Sequence, residues 1–112
     1  MRIPNSDSAF ISKNKISDYL FSLSHPIGRH KASFFLKYGF DSSSVEFMID
    51  QLKSLISDND FVEKLENNFG TKYVITGFVN SPTGNEIELV TVWFVEKGED
   101  MPYFVTAYPK RK

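Results

Sequence analysis

Ile87-Glu88-Leu89-Val90-Thr91-Val92-Trp93-Phe94-Val95 is the stretch that decides the fold. Ile87, Leu89, Thr91, Trp93 and Val95 alternate with Glu88, Val90, Val92 and Phe94. Alternate residues of a strand face opposite sides of a sheet. The second half of this stretch is apolar on both faces, which predicts a central strand. On its N-terminal side, Ser81-Pro82-Thr83-Gly84-Asn85 is a turn. Before that turn, Gly70 separates two extended stretches, Phe61 to Asn68 and Thr71 to Asn80. On the C-terminal side, Lys97-Gly98-Glu99-Asp100 turns the chain again, and Tyr103 to Tyr108 is a last strand closed by Pro109.

Upstream of residue 60 the period changes from two to that of a helix. Ile16, Tyr19, Leu20 and Leu23 repeat at i, i+3, i+4, i+7, so Lys15 to Leu23 reads as a short amphipathic helix. Ser24-His25-Pro26 interrupts it. Proline suits the first position of a helix and biases the residue before it away from the helical region. A second helix is therefore expected from Pro26, with His25 near its cap, to Tyr38, where Gly39 offers a left-handed stop. The third helix carries the stripe Val45, Met48, Ile49, Leu52, Leu55 and Ile56. Ser43 and Glu46 have capping-box spacing, and Ser57-Asp58-Asn59-Asp60 ends the helix. The expected fold is α+β in a single domain, residues 1–112. N-terminal helices, at about 12–59, pack on one face of a C-terminal three- to four-stranded antiparallel sheet, at about 61–109.

Composition narrows the function classes. Of the 112 residues, 41% are hydrophobic and 15% aromatic, enough to close a core. The absence of cysteine excludes disulfides, thiolate metal sites and a cysteine nucleophile, and it fits a reducing compartment. No apolar run approaches the roughly 20 residues needed to span a bilayer, and Met1 to Asp7 lack the apolar core of a signal peptide. A soluble, cytoplasmic protein with no membrane partner is expected. The net charge of −1 gives no global nucleic-acid footprint, although Lys110-Arg111-Lys112 forms a short basic tail.

One residue breaks the pattern. On a helical wheel Ile27, Phe34, Phe35 and Tyr38 share an arc of about 100°, and Lys31 lies inside it. Either its stem covers aromatic surface while the ammonium reaches water, or the ammonium enters a cleft that binds a negative group. Arg29 and His30 lie on or near the opposite, polar side. His25 and His30 are the only histidines, and their separation of five does not suit adjacent helical ligands, so no metal and no other cofactor is expected. A helix N-terminus with Gly28 for close approach suits phosphate. On the last strand Thr106 and Tyr108 point to one face, with Phe104 preceding them there, and their hydroxyls are candidates to line a site. Lys72, after Gly70-Thr71, is a further candidate contact.

Four segments carry a family resemblance: His25-Pro26-x-Gly28-Arg29-His30-Lys31-Ala32-x-Phe34-Phe35 followed by Gly39-Phe40, then Gly70-Thr71-Lys72-Tyr73-Val74, Thr91-Val92-Trp93, and Val105-Thr106-Ala107-Tyr108-Pro109. They resemble an uncharacterised group of small bacterial proteins, the domain-of-unknown-function family six-eight-eight-three. That group is similar in turn to the barnase, EndoU, colicin and RelE-like ribonuclease toxins. The resemblance implies helices followed by a four-stranded antiparallel sheet. It also implies a site that joins a His or Lys from the helical part to Arg, Ser, Thr or Tyr from the sheet.

Two functions of different class follow. The first is a metal-independent, toxin-like ribonuclease, in which the substrate's 2′-OH attacks the adjacent phosphate. His30 or His25 would move protons, Lys31 and Arg29 would hold the phosphate, and Thr106 and Tyr108 would orient it. Lys72 would contact RNA, with Trp93 among the stacking residues that also include Phe34, Tyr73 and Tyr103. The expected partners are RNA and a neutralising protein; nothing specifies the oligomeric state. The second is a non-catalytic binding module, or an accessory, antitoxin-like partner of a toxin system, gripping an acidic surface with the same basic turn.

Overall fold

A computed structural model describes residues 1–20 and 29–110; residues 21–28 and 111–112, and the side chains at 18–20, 29–32 and 42, lie outside the description. Two helices, α1 (Arg29–Lys37) and α2 (Val45–Asp58), precede four strands: β1 (Glu63–Asn67), β2 (Gly70–Asn80), β3 (Glu86–Glu96) and β4 (Tyr103–Pro109). The strands form one antiparallel meander in the order β1-β2-β3-β4, which makes the Ile87 to Val95 stretch a central strand as its pattern predicts. The class is α+β with the sheet C-terminal.

The core lies between the helices and one face of the sheet. Cross-strand register puts Tyr73 opposite Trp93, Ile75 opposite Thr91, and Thr91 opposite Ala107, all on this face and all buried. Phe35, Phe40, Met48, Leu52, Leu55 and Ile56 close over them from the helical side. Fully burying side chains of this size stabilises by about 1.5–3 kcal/mol each, which is why the stripe and the strand alternation together dictate the layering. Trp93 and Phe104 meet edge to face at 5.4 Å.

The C-terminus of α1 follows the sequence reading. Gly39 has φ +88°, the Gly39 N–H donates to the Leu36 carbonyl, and the Phe40 N–H reaches back to the Phe35 carbonyl. This paired closure satisfies carbonyls at the end of the helix and swings Phe40 into the core against Phe35, at 5.7 Å. The expected cap at His25, the start at Pro26 and the close approach at Gly28 lie outside the described residues.

Three local expectations differ. Lys15–Leu20 folds as a π-helical turn and not the first turns of an α-helix, with Ile16 buried. The Ser43–Glu46 capping box does not form. The Asp41 side chain accepts the Ser43 N–H, Ser44 returns a contact to the Asp41 N–H, and a 3-10 turn, Ser42–Ser44, leads into α2. An aspartate at this position competes well as a cap, and Glu46 is held instead by Lys13 at 2.7 Å. The first strand is shorter than Phe61 to Asn68, because Phe61 turns inward to pack on Tyr73 at 5.0 Å.

Candidate functional site

Strand alternation gives the sheet a second face, turned away from the helices. Three successive rows cross its middle, with Phe78 and Glu88 in the row beyond them. Leu65, Lys72, Phe94 and Tyr103 form the first; Glu63, Val74, Val92 and Thr106 the second; Thr76, Val90 and Tyr108 the third. The apolar residues that made β3 read as buried on both sides are only half-buried here. Leu65 and Phe78 remain more than half exposed, at 51% and 56%. Among the described residues, no helix covers this face. Aromatic rings are therefore presented beside hydroxyls and a lysine, with Phe94 and Tyr103 in contact at 5.8 Å.

Thr106 and Tyr108 share this open face, as their spacing predicts, but Phe104 does not. The β3–β4 register slips between Val92 and Trp93: Val92 faces Thr106, whereas Trp93 faces Phe104. Val105 is the extra residue, and a one-residue bulge inverts the side on which every earlier residue points. Phe104 thus enters the core at 2% exposure, while Thr106 is half-buried and Tyr108 is 40% exposed. Lys72 stands two strands away, one row from Thr106, on the order of 10 Å at the observed strand order. One phosphodiester and its neighbouring base can bridge that distance.

Arg29, His30 and Lys31 form the first turn of the described part of α1, and α1 packs against β4 and the Lys15–Leu20 turn. Lys31 precedes buried Phe35 by four residues and half-buried Phe34 by three, so its backbone position lies on the inward stripe. The side chains of Arg29, His30 and Lys31, and the whole of His25, lie outside the described residues. The basic turn and the Thr106–Tyr108 strand therefore belong to neighbouring elements.

Trp93 takes a different place from the one expected of a stacking residue. It is fully buried, and its indole N–H donates to Thr91 Oγ1 at 2.8 Å, which in turn donates to the Ile75 carbonyl at 2.9 Å. An indole with no exposed surface and a satisfied N–H is a core residue. Tyr73, also among the expected stacking residues, is buried too, while Tyr103 is available. In the basic tail, Lys110 is engaged with Glu88 at 3.6 Å.

Sequence reasoning did not single out the groove at the start of β4. It has a volume of 550 Å³ and is lined by Phe10, Lys15, Met101 and Tyr103 among others. The signal was present in Phe10 and Met101, two large apolar residues outside any periodic stripe; both are about half exposed. Among the described residues no cluster of three or more His, Asp or Glu side chains is arranged to hold a metal ion. No described helix is long and apolar enough to cross a membrane.

No curated protein matches this sequence. Among solved structures, the chain is similar to one chain of a contact-dependent growth inhibition toxin–immunity protein complex from Klebsiella pneumoniae 342. The two share 21% identity with a TM-score of 0.72, over 89% of this chain and 98% of that one. At that identity the likeness is one of fold. The model of the family described as a domain of unknown function, DUF6883, matches residues 2–111, and the chain belongs to that family.

Proposed function

We propose that this domain is a toxin-type ribonuclease that cleaves RNA without a metal ion. The observation that carries the reading is the open sheet face, where Lys72, Thr106 and Tyr108 stand among aromatic rings, together with the packing against β4 of α1, the helix that carries the basic turn. The fold it shares with a chain of a toxin–immunity protein complex supports a place in a toxin system.

The chemistry assigns a task to each group. The substrate's 2′-oxygen attacks the adjacent phosphorus as His30, or His25, removes the hydroxyl proton. Charge then builds on the non-bridging oxygens, where Lys31 and Arg29 act as fixed cations. The bond to the 5′-oxygen breaks, and that oxygen takes a proton from the second histidine or from Tyr108. The products are a 2′,3′-cyclic phosphate and a free 5′-hydroxyl. Thr106 orients the phosphate, Lys72 contacts the flanking backbone, and Tyr103 and Phe94 offer rings for an unstacked base.

The test is cleavage of end-labelled RNA by the purified chain. His30→Ala and Lys31→Ala are each expected to lower the rate by about 100-fold or more, with the thermal midpoint nearly unchanged. A folded wild type that leaves single-stranded, transfer and ribosomal RNA intact overturns the catalytic reading. The exposed apolar residues on the open face favour the alternative in that event: a non-catalytic, antitoxin-like partner that docks a protein there.

A further inference from the structure

The two edges of the sheet are treated differently. The β4 edge is occupied at its start: the Phe10 N–H donates to the Pro102 carbonyl and the Phe104 N–H to the Phe10 carbonyl. α1 also packs against this strand. The β1 edge has no neighbouring strand among the described residues, and all five of its residues are exposed. An uncovered edge is a template for another strand unless its sequence prevents pairing.

The direction of each backbone group on β1 follows from the register. The Lys97 N–H donates to the Phe69 carbonyl and the Ser81 N–H to the Asn85 carbonyl, so odd-numbered residues of β2 bond to β3. Even-numbered residues of β2 then bond to β1, and their partners there are Glu63, Leu65 and Asn67. Lys64 and Glu66 are left with their N–H and C=O groups directed outward.

We propose that two copies of this chain associate through antiparallel pairing of β1 with β1, centred on Leu65. Outward groups must meet outward groups, so only Lys64 and Glu66 can form the hydrogen-bonded pairs. Centring on residue 64 sets Lys64 against Lys64 of the second copy, and centring on residue 66 sets Glu66 against Glu66. Centring on Leu65 sets Lys64 against Glu66 twice, and the side chains of the two Leu65 residues meet at the two-fold axis. Charge complementarity thus selects one register of the three. Both charged side chains are available, at 44% and 69% exposure, and Leu65 is 51% exposed on the open face. In the monomer Lys64 and Glu66 pair with each other across the surface, at 3.3 Å, and the Lys64 ammonium also lies over the Tyr73 ring, 6.0 Å from its centroid. The result is a continuous eight-stranded sheet with both open faces on one side. With one short strand per copy at the interface, the association is weak and concentration-dependent. It does not depend on the catalytic reading.

Sedimentation equilibrium of the full chain over a wide concentration range tests this. The mass is expected to rise from one chain toward two, and rising salt is expected to oppose it. Lys64→Glu alone and Glu66→Lys alone each create two like-charge pairs and are expected to weaken association by about 10-fold or more. The double variant K64E/E66K restores the pairs and the association. Mixing the two single variants is expected to give a heterodimer that neither forms alone. A chain that stays monomeric at every concentration overturns the proposal, as does a dimer that both single variants leave unchanged. Circular dichroism confirms that each variant is folded.

Discussion

Replacing Thr91 with valine removes a single hydroxyl from the centre of the core. Valine has nearly the volume of threonine, so no cavity opens and the packing around Trp93 and Ile75 is kept. The hydroxyl, however, accepts the Trp93 indole N–H at 2.8 Å and donates to the Ile75 carbonyl at 2.9 Å. That carbonyl belongs to a residue already paired with Thr91 in the β2–β3 ladder, so the main loss is the indole N–H, buried without an acceptor. Such an orphan costs about 1–3 kcal/mol. Against the 5–15 kcal/mol of a typical domain, a loss of about 2 kcal/mol is large. At this chain length it lowers the thermal midpoint by roughly 8–16 °C. Urea unfolding followed by circular dichroism, and by tryptophan fluorescence where Trp93 is kept, measures it as a fall in free energy at constant m-value. Adding Trp93→Phe removes the orphan donor, so the T91V/W93F pair should be less destabilised than the sum of the singles by about 1–2 kcal/mol. A T91V protein within about 0.5 kcal/mol of wild type, or a pair that is simply additive, would refute the buried network. The same tryptophan emission should not respond to added RNA, because Trp93 presents no surface.

Two further outcomes are accessible to the same stability assay. Gly70 has φ +153°, and a Cβ there would lie 2.2 Å from the Val95 carbonyl oxygen, so Gly70→Ala is expected to cost about 2–4 kcal/mol and to loosen the β1–β2 hairpin. Hydrogen exchange confined to residues near Asn67 and Lys97 would report it; an alanine variant as stable as wild type would sink the idea. The carboxyl of Asp41 is held below its ordinary range by the Ser43 side chain and then the Ser43 N–H, and that of Glu46 by hydrogen bonding and attraction to Lys13. Both pKa values are lower in the folded state. Their stabilisation is therefore complete above the unfolded carboxylate range, about pH 4, and is lost as the pH falls through the folded values. Asp41→Asn with Glu46→Gln should flatten the decline of the thermal midpoint below about pH 4, and an unchanged acid slope would count against both pairings.

Much of the architecture was legible without coordinates. The stripe from Val45 to Ile56, the stop at Gly39 and the two-sided apolar run of β3 are local patterns, and each element has the type and position they imply. The shared face of Thr106 and Tyr108 was legible for the same reason: two residues of separation within a strand preserve orientation. The side on which Phe104 lies was not. It depends on a bulge at Val105, and a bulge is a property of two paired strands, β3 and β4, and not of either alone. The depth of Trp93 was equally hidden. An aromatic residue in a strand suits a stacking platform or a core, and only the register that sets it between Tyr73 and Phe104 under the helices decides between them.

The capping of α2 shows the same division on a smaller scale. Ser43 and Glu46 had suitable spacing, but Asp41 and Lys13 were competing partners, and Lys13 is brought to Glu46 by the tertiary path of the N-terminal segment. By itself the sequence determined the α+β class, the order of helices before strands and the unusual run of basic residues from His25 to Lys31, because periodicity, proline, glycine and charge act over a few residues. The tertiary structure decided which sheet face is left open, which edge is left unpaired, and which aromatic rings belong to the core. These depend on contacts between residues far apart in the chain, whose free energy is gained only when the strands and helices meet.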